Sequence, residues 1–348
     1  MPHKVLITGG SGYLGGTLLA RLAQTKLPAY EKLYALVRSD SQAESVKQYG
    51  AEPLTFSPRD EHAVRENVVK QGITIVFFLI DAFKADSQVY FIRALAEVGA
   101  STGQDVHFLH TSGAKLFSSH TGAPTDRPLL DSEPGLYEIQ KSQKATLDGP
   151  LTAVATNNTV IEQGELHGVK TYVFVPCIVY GKGEGFGNPI SIQTVAIVKA
   201  AKATGRVYKV DANKPSWPVC HVVDNATLYI ALLSKILEGE SVDHGKQGYY
   251  LASSGSVVWE DLYSGVAKSL AEKGVIDNDE VPLADDSALQ KMAAALGVPK
   301  DFVAFSLGGR CTFTAAHGRS LGWKPEYPPH HILDTIDEEV QLILDNLT

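Results

Sequence analysis

Short apolar runs and longer amphipathic stretches alternate along the N-terminal half of the chain. Val5-Leu6-Ile7 stops at a glycine cluster, and residues 17–23 follow with helix-forming side chains at helical apolar spacing. The same alternation continues downstream. Strands are predicted at 33–37, 52–56, 73–80 and 106–110, and helices at 46–49, 61–71 and 89–98. Such βαβ repetition buries both faces of a parallel sheet under helices, so the predicted fold class is α/β, a doubly wound parallel sheet of the Rossmann type. A polar stretch rich in Gly, Pro and Asp at 118–135 reads as a long surface loop. A helix is predicted at 155–166, because Gly149-Pro150 breaks the pattern before it, and a sixth strand at 171–175. Beyond Pro176 the pattern loosens: a glycine-rich segment at 181–188, helices at 192–202 and 225–238, strand-like runs at 207–210 and 249–251, and an amphipathic, acidic helix at 333–347.

Composition narrows this picture. The 348 residues are 44% apolar and 20% charged, as in ordinary globular proteins. A net charge of −8 disfavours nucleic acid or an anionic membrane as the main partner and leaves a small-molecule substrate. Cys177, Cys220 and Cys311 form neither a CxxC pair nor a Cys/His cluster, so no metal site and no disulfide framework is expected. A reducing, cytoplasmic location fits such cysteine usage. The longest apolar run, 73–80, is too short to span a bilayer. A strand beginning within a few residues of Met1 leaves no room for a cleaved leader. Nothing in the sequence sets the oligomeric state.

The chemistry begins at the first strand's end. Thr8-Gly9-Gly10-Ser11-Gly12-Tyr13-Leu14-Gly15 spaces Gly9, Gly12 and Gly15 three apart between a strand and a helix. There the chain must turn sharply, let a pyrophosphate approach its backbone, and start a helix whose free N–H groups face the phosphates. Thr8, Gly9, Ser11, Gly12, Tyr13, Leu14 and Gly15 are therefore candidate dinucleotide contacts. Arg38 and Ser39 stand at the tip of the second strand, where the adenosine ribose is read. An arginine there pairs with the 2′-phosphate of NADP(H); Asp40, close behind, is the competing feature that would favour NAD.

The glycine loop resembles the TGGxGxxG of extended short-chain dehydrogenases/reductases. His110-Thr111-Ser112-Gly113 is similar to the family's Ser/Thr motif after the fifth strand, and Tyr137-Glu138-Ile139-Gln140-Lys141 to its YxxxK. Pro176-Cys177-Ile178-Val179-Tyr180-Gly181 looks like the RPxxVYG segment, and His221-Val222-Val223-Asp224 like VHVDD. The resemblance is closest to the NAD-dependent epimerase/dehydratase-like branch common in fungi. It implies a dinucleotide-binding domain at 1–176, completed by about 206–245, and a smaller C-terminal substrate lobe at 177–205 and 246–348. It also implies that Tyr137 is the acid that protonates a carbonyl oxygen, that Lys141 holds the nicotinamide ribose and depresses the phenol pKa, and that Ser112 binds the substrate oxygen. The chemistry is coherent, since a phenol titrating near 10 needs a neighbouring cation to exchange protons around neutrality. An alternative stays open. If the helix before the sixth strand is the family's catalytic helix, Val154 and Asn158 stand where Tyr and Lys belong, and Tyr137 and Lys141 lie on an insertion. Asp81, Ala82, Thr111 and Pro176 are further cofactor candidates, and Phe83, Tyr180, Phe186 and Trp217 candidate walls of the substrate pocket. The expected function is an NADP(H)-dependent oxidoreductase reducing a small carbonyl compound; the alternatives are an epimerase or dehydratase and a non-catalytic NADP(H) sensor.

Overall fold

The computed structural model describes residues 2–145 and 147–347. In the first part of the chain β1 (Lys4–Thr8), β2 (Lys32–Leu36), β3 (Glu52–Leu54), β4 (Ile75–Phe78) and β5 (His107–Thr111) alternate with α1 (Tyr13–Gln24), α2 (Asp40–Lys47), α3 (Glu61–Gln71) and α4 (Asp86–Thr102). Then come β6 (Leu129–Leu130), α5 (Leu136–Lys141), α6 (Asp148–His167), β7 (Lys170–Pro176), β8 (Ile178–Tyr180), α7 (Gln193–Thr204), β9 (Ser216–His221), α8 (Val222–Leu237), β10 (Tyr249–Ala252), β11 (Gly255–Val258) and α9 (Trp259–Glu272). The C-terminal part holds α10 (Asp286–Leu296), α11 (Phe302–Leu307), β12 (Phe313–Thr314), α12 (His317–Ser320), α13 (His331–Asp334) and α14 (Ile336–Asn346).

The main sheet runs β3-β2-β1-β4-β5-β7-β10, and its neighbouring strands pair in parallel. Strand alternation explains its two faces. Val5 and Ile7 of β1 pack with Leu18, Leu19 and Leu22 of α1 and with Leu228 and Leu232 of α8. Leu6 points to the opposite face, with Val64 and Val68 of α3 and Phe91 and Leu95 of α4. The chain winds outward from β1 to β3 and then returns to β4 on the other side of β1. Helices leave in opposite directions there and open a crevice at the strands' C-terminal ends, the usual ligand position in such sheets.

Three sequence expectations change. β10 hydrogen-bonds in register beside β7, so the seventh strand of the main sheet comes from within 246–348, the stretch assigned above to the substrate lobe. Gly149-Pro150 does not break a helix. It lies in the first turn of α6, where the N–H that proline lacks would have no intrahelical partner. The predicted loop at 118–135 contains β6, which pairs with β12 far along the chain.

Buried carboxylates fasten the C-terminal segments. Asp131, 1% exposed, accepts from the Leu251 N–H at 2.9 Å, the Ala316 N–H at 2.6 Å and the His317 N–H at 2.9 Å. Glu339 of α14, also buried, accepts from the Gly181 N–H at 2.8 Å and the Thr194 hydroxyl at 2.8 Å. Removing such an acceptor strands amides in an apolar interior. Asp131→Ala is therefore expected to cost at least about 3 kcal/mol, read as a lower urea midpoint. A cost below about 1 kcal/mol would show that water or a shifted backbone satisfies those amides.

Candidate active site

The crevice is built first from backbone. Thr8 closes β1 and its hydroxyl accepts from the Leu79 N–H at 2.9 Å, which ties the ends of β1 and β4 together. Gly9 then turns with φ 72°, the left-handed region where a Cβ is unfavourable. At Gly15 a Cβ would lie 2.3 Å from the Gly9 carbonyl oxygen, so only glycine lets α1 seat against the turn. The N-cap of α1 is Gly12, no side chain caps its first turn, and that turn carries no acidic residue. Its amides and positive end are thus available to an anion, which fits the pyrophosphate of a dinucleotide. The glycine-rich segment after β8 folds over this loop. The Tyr13 hydroxyl donates to the Gly181 carbonyl at 2.6 Å, the Asn188 N–H donates to the Ser11 carbonyl at 3.1 Å, and Arg21 of α1 forms a forked pair with Glu184.

Beside the loop lies a cavity of about 490 Å³, within the size range of small-molecule sites. Gly9, Gly12, Tyr13, Leu14 and Gly15 line one side. The end of β5 supplies Thr111, the segment after it Ser112, Gly113, Ala114, Lys115 and Leu116, and the end of β7 Pro176. Ala82 and Phe83 after β4, Trp217 of β9 and Phe305 of α11 complete much of the apolar wall. Two polar groups stand out against it. The Ser112 hydroxyl is buried and has no hydrogen-bond partner among the described residues. The Lys115 ammonium donates to the carbonyl oxygens of Phe305 and Ser306, the latter at 2.9 Å. It sits 5.4 Å from the Trp217 ring centre and 5.1 Å from that of Phe305. Burial among these rings pulls its pKa down to about 7.

Tyr137 and Lys141 are not among the residues that line this cavity. They occupy α5, which packs on α6, and the Tyr137 hydroxyl donates to Glu162 at 2.6 Å. Lys141 donates to the same carboxylate at 2.8 Å and to the Tyr137 oxygen at 3.1 Å. α6 presents Ala153 to the cavity, whereas Glu162 lies nine residues further along, about 13 Å away at 1.5 Å per residue. The electrostatics are also wrong for a phenol acid: burial and the Glu162 carboxylate raise the Tyr137 pKa, outweighing Lys141. The pair therefore stands apart from the cavity lining, where the resemblance had implied a catalytic role for it. The alternative placement at Val154 and Asn158 is one residue out of phase, since the cavity-facing position is Ala153 and one turn on stands Asn157, which is buried and donates to Gln140 at 3.3 Å.

Comparison with known proteins agrees with this architecture. The model of the NAD dependent epimerase/dehydratase family matches residues 5–245. The chain belongs to that family. Its relatives include the uncharacterized protein YLL056C of Saccharomyces cerevisiae, 24% identical over 330 residues that span 93% of this chain and 95% of that one. A 4-hydroxy-2-methyl-3-oxo-4-farnesyl-3,4-dihydroquinoline-1-oxide ketoreductase of Stigmatella aurantiaca is 24% identical over 228 residues, 64% of this chain and 61% of that protein. Among solved structures, the UDP-glucose 4-epimerase of Thermotoga maritima superposes with a TM-score of 0.64 at 14% identity, covering 99% of this chain and 100% of its own. That of Bifidobacterium longum, in complex with NAD+ and UDP, gives 0.61 at 17% identity, covering 99% and 98%. These likenesses establish the fold.

Within this family fold, the remaining candidates divide. Gly9, Gly12, Tyr13, Leu14, Gly15, Ala82, Phe83, Thr111, Ser112, Pro176 and Trp217 line the cavity, whereas Thr8 and Ser11 support the loop from behind. Asp81 spends its carboxylate on the Phe83 N–H at 2.8 Å, shaping the turn that delivers Ala82 and Phe83. Tyr180 is buried against His221, with ring centres 5.1 Å apart, and Phe186 stacks with Tyr49; neither lines the cavity. Arg38 and Ser39 lie outside the cavity, at the exposed end of β2. Ser39 caps α2 by accepting from the Gln42 N–H at 3.3 Å, and the Arg38 guanidinium has no ion-pair partner among the described residues. Lys115, Ala153 and Phe305 were not singled out from the sequence. The one available signal was a lone cation inside the apolar run Ala114–Phe117. Tyr137→Phe is expected to lower stability by about 1 kcal/mol in urea unfolding through loss of the Glu162 bond, with NADPH affinity in calorimetry unchanged. A tenfold loss of affinity would return Tyr137 to the site.

Proposed function

We propose that the protein is an NADP(H)-dependent oxidoreductase that reduces a small, largely apolar carbonyl compound. The observation that carries this reading is the partnerless Ser112 hydroxyl, buried in an apolar cavity that opens onto the glycine loop. A buried hydroxyl without a partner costs free energy until a ligand oxygen satisfies it. Gly9, Gly12 and the first turn of α1 would hold the pyrophosphate. A nicotinamide bound alongside supplies or accepts the hydride. Ser112 would hold the substrate oxygen where negative charge develops, and Phe83 and Trp217 would enclose its apolar body. The Stigmatella relative is by name a ketoreductase of a farnesylated compound, which agrees with carbonyl reduction in an apolar pocket. Three free, buried cysteines suit a cytoplasmic protein, and no helix among the described residues is long and apolar enough to cross a membrane.

The choice of NADP(H) rests on Arg38. Its guanidinium has no ion-pair partner among the described residues, and the next residues along the chain include Ser39 and Ser41, whose hydroxyls lie 3.0 Å from each other at the start of α2. These groups form a cluster of donors suited to a 2′-phosphate. A second reading, a non-catalytic NADP(H) sensor, draws on the distance of Tyr137 and Lys141 from the cavity. Arg38→Ala is expected to weaken NADPH binding by about 10- to 100-fold in calorimetry, with NADH affected by no more than about twofold. Equal losses for both would remove the argument for the phosphorylated cofactor.

A further inference from the structure

A carbonyl reductase must protonate the oxygen that the hydride leaves electron-rich, and the tyrosine expected to do so lies outside the cavity. Granting the reductase reading above, we propose that Lys115 is the catalytic residue that delivers this proton. The geometry singles it out. Lys115 lines the same cavity wall as Ser112, three residues further along the turn that follows β5. An ammonium carries three protons. Two are donated to the carbonyls of Phe305 and Ser306, which fix the head group, and the third is not committed to any acceptor among the described residues. No carboxylate pairs with Lys115 among the described residues. A lysine placed for stability alone would be expected to reach a counter-ion or the solvent.

The surroundings match the task. From the elements packed against Lys115, the titratable groups that face it are the Cys311 thiol, raised by burial to about 12, and the His120 imidazole, lowered by burial. Both are neutral around pH 7. α11 contributes two carbonyls and the Phe305 ring, and β9 the Trp217 ring. Desolvation therefore brings the ammonium to about 7, where a general acid is most effective at neutral pH. The step balances with one hydride from the reduced nicotinamide and one proton replaced from solvent. As the carbonyl carbon gains hydride, the π pair of the C=O bond moves to oxygen. An O–H bond forms as one N–H bond of Lys115 breaks, and the neutral amine takes up one hydronium proton from bulk solvent once the alcohol has left. The same amine, unprotonated, takes the alcohol proton in the reverse direction.

Three measurements on the full chain test this. Calorimetry with NADPH checks the underlying reading by itself: no binding would sink the reductase assignment and the lysine's role together. With para-nitrobenzaldehyde as the apolar carbonyl probe, kcat/KM for reduction is expected to be level at low pH and to fall as pH rises through about 7, since the charged form is the donor. Lys115→Met fills the same space without a proton, and is expected to lower kcat/KM by about 100-fold or more with NADPH affinity within about twofold. Reductive dimethylation with isotopically labelled formaldehyde, followed by NMR titration, gives a readout independent of turnover: one dimethyl-lysine signal, absent from Lys115→Met, is expected to titrate near 7. A Lys115→Met protein that retains its rate, a protein that binds NADPH and does not reduce the probe, or a Lys115 signal titrating near 10 would each overturn the proposal.

Discussion

A helix that begins at the end of a parallel strand has four amides it cannot satisfy internally, and here nothing in the chain's own first turn satisfies them with a side chain. The constraint is steric as much as electrostatic. Gly9 must turn through a left-handed conformation, and Gly15 must pass its carbonyl with no Cβ between them. This arrangement stands at the C-terminal ends of the paired strands β1 and β4, so the same turn that starts α1 also sets one side of the cavity. The rest of the molecule is organised around that edge. Thr8 locks β1 to the end of β4, the segment after β8 closes over the loop through Gly181 and Asn188, and Glu339 of α14 holds that segment from behind.

Around this edge the cavity wall is assembled from pieces far apart in sequence. Phe305 reaches Lys115 across 190 residues and Trp217 comes from the second, three-stranded sheet. Their rings cover the lysine, and its burial lowers the pKa of an ordinarily basic amine. Structure and chemistry are linked there: α11 and β9, far from Lys115 in sequence, supply the apolar surroundings that lower its pKa. Tyr137, Glu162 and Lys141 form the opposite kind of cluster, an ion pair and phenol at the junction of α5 and α6, where the carboxylate absorbs the influence the lysine would have had on the tyrosine.

What was legible in the sequence was local. Val5-Leu6-Ile7 reports its two-sided burial by composition, and the glycine spacing reports a backbone constraint that no other residue type satisfies. The match of residues 5–245 to the NAD dependent epimerase/dehydratase family bears out the family resemblance. The failures come from patterns that encode less than they suggest. YxxxK states only that two side chains share a helical face, which Tyr137 and Lys141 do, on a helix packed away from the cavity. Pro150 resembles a helix breaker until its place in the first turn is known. Lys115 resembles a surface cation until Phe305 and Trp217 are brought over it, and no local pattern announces partners so distant. β10 went to the wrong lobe for the same reason, because strand pairing across a sheet leaves no mark on the strand itself.

The central claim is that one crevice holds a dinucleotide by the glycine loop and places its reactive end among Ser112, Lys115 and the apolar wall. A crystal structure of the protein grown with NADP+ tests it most directly. The pyrophosphate is expected on the amides at the start of α1, and the nicotinamide ring beside the Ser112 hydroxyl and the Lys115 ammonium. A dinucleotide seated elsewhere, or a nicotinamide ring turned away from both side chains, would contradict the account.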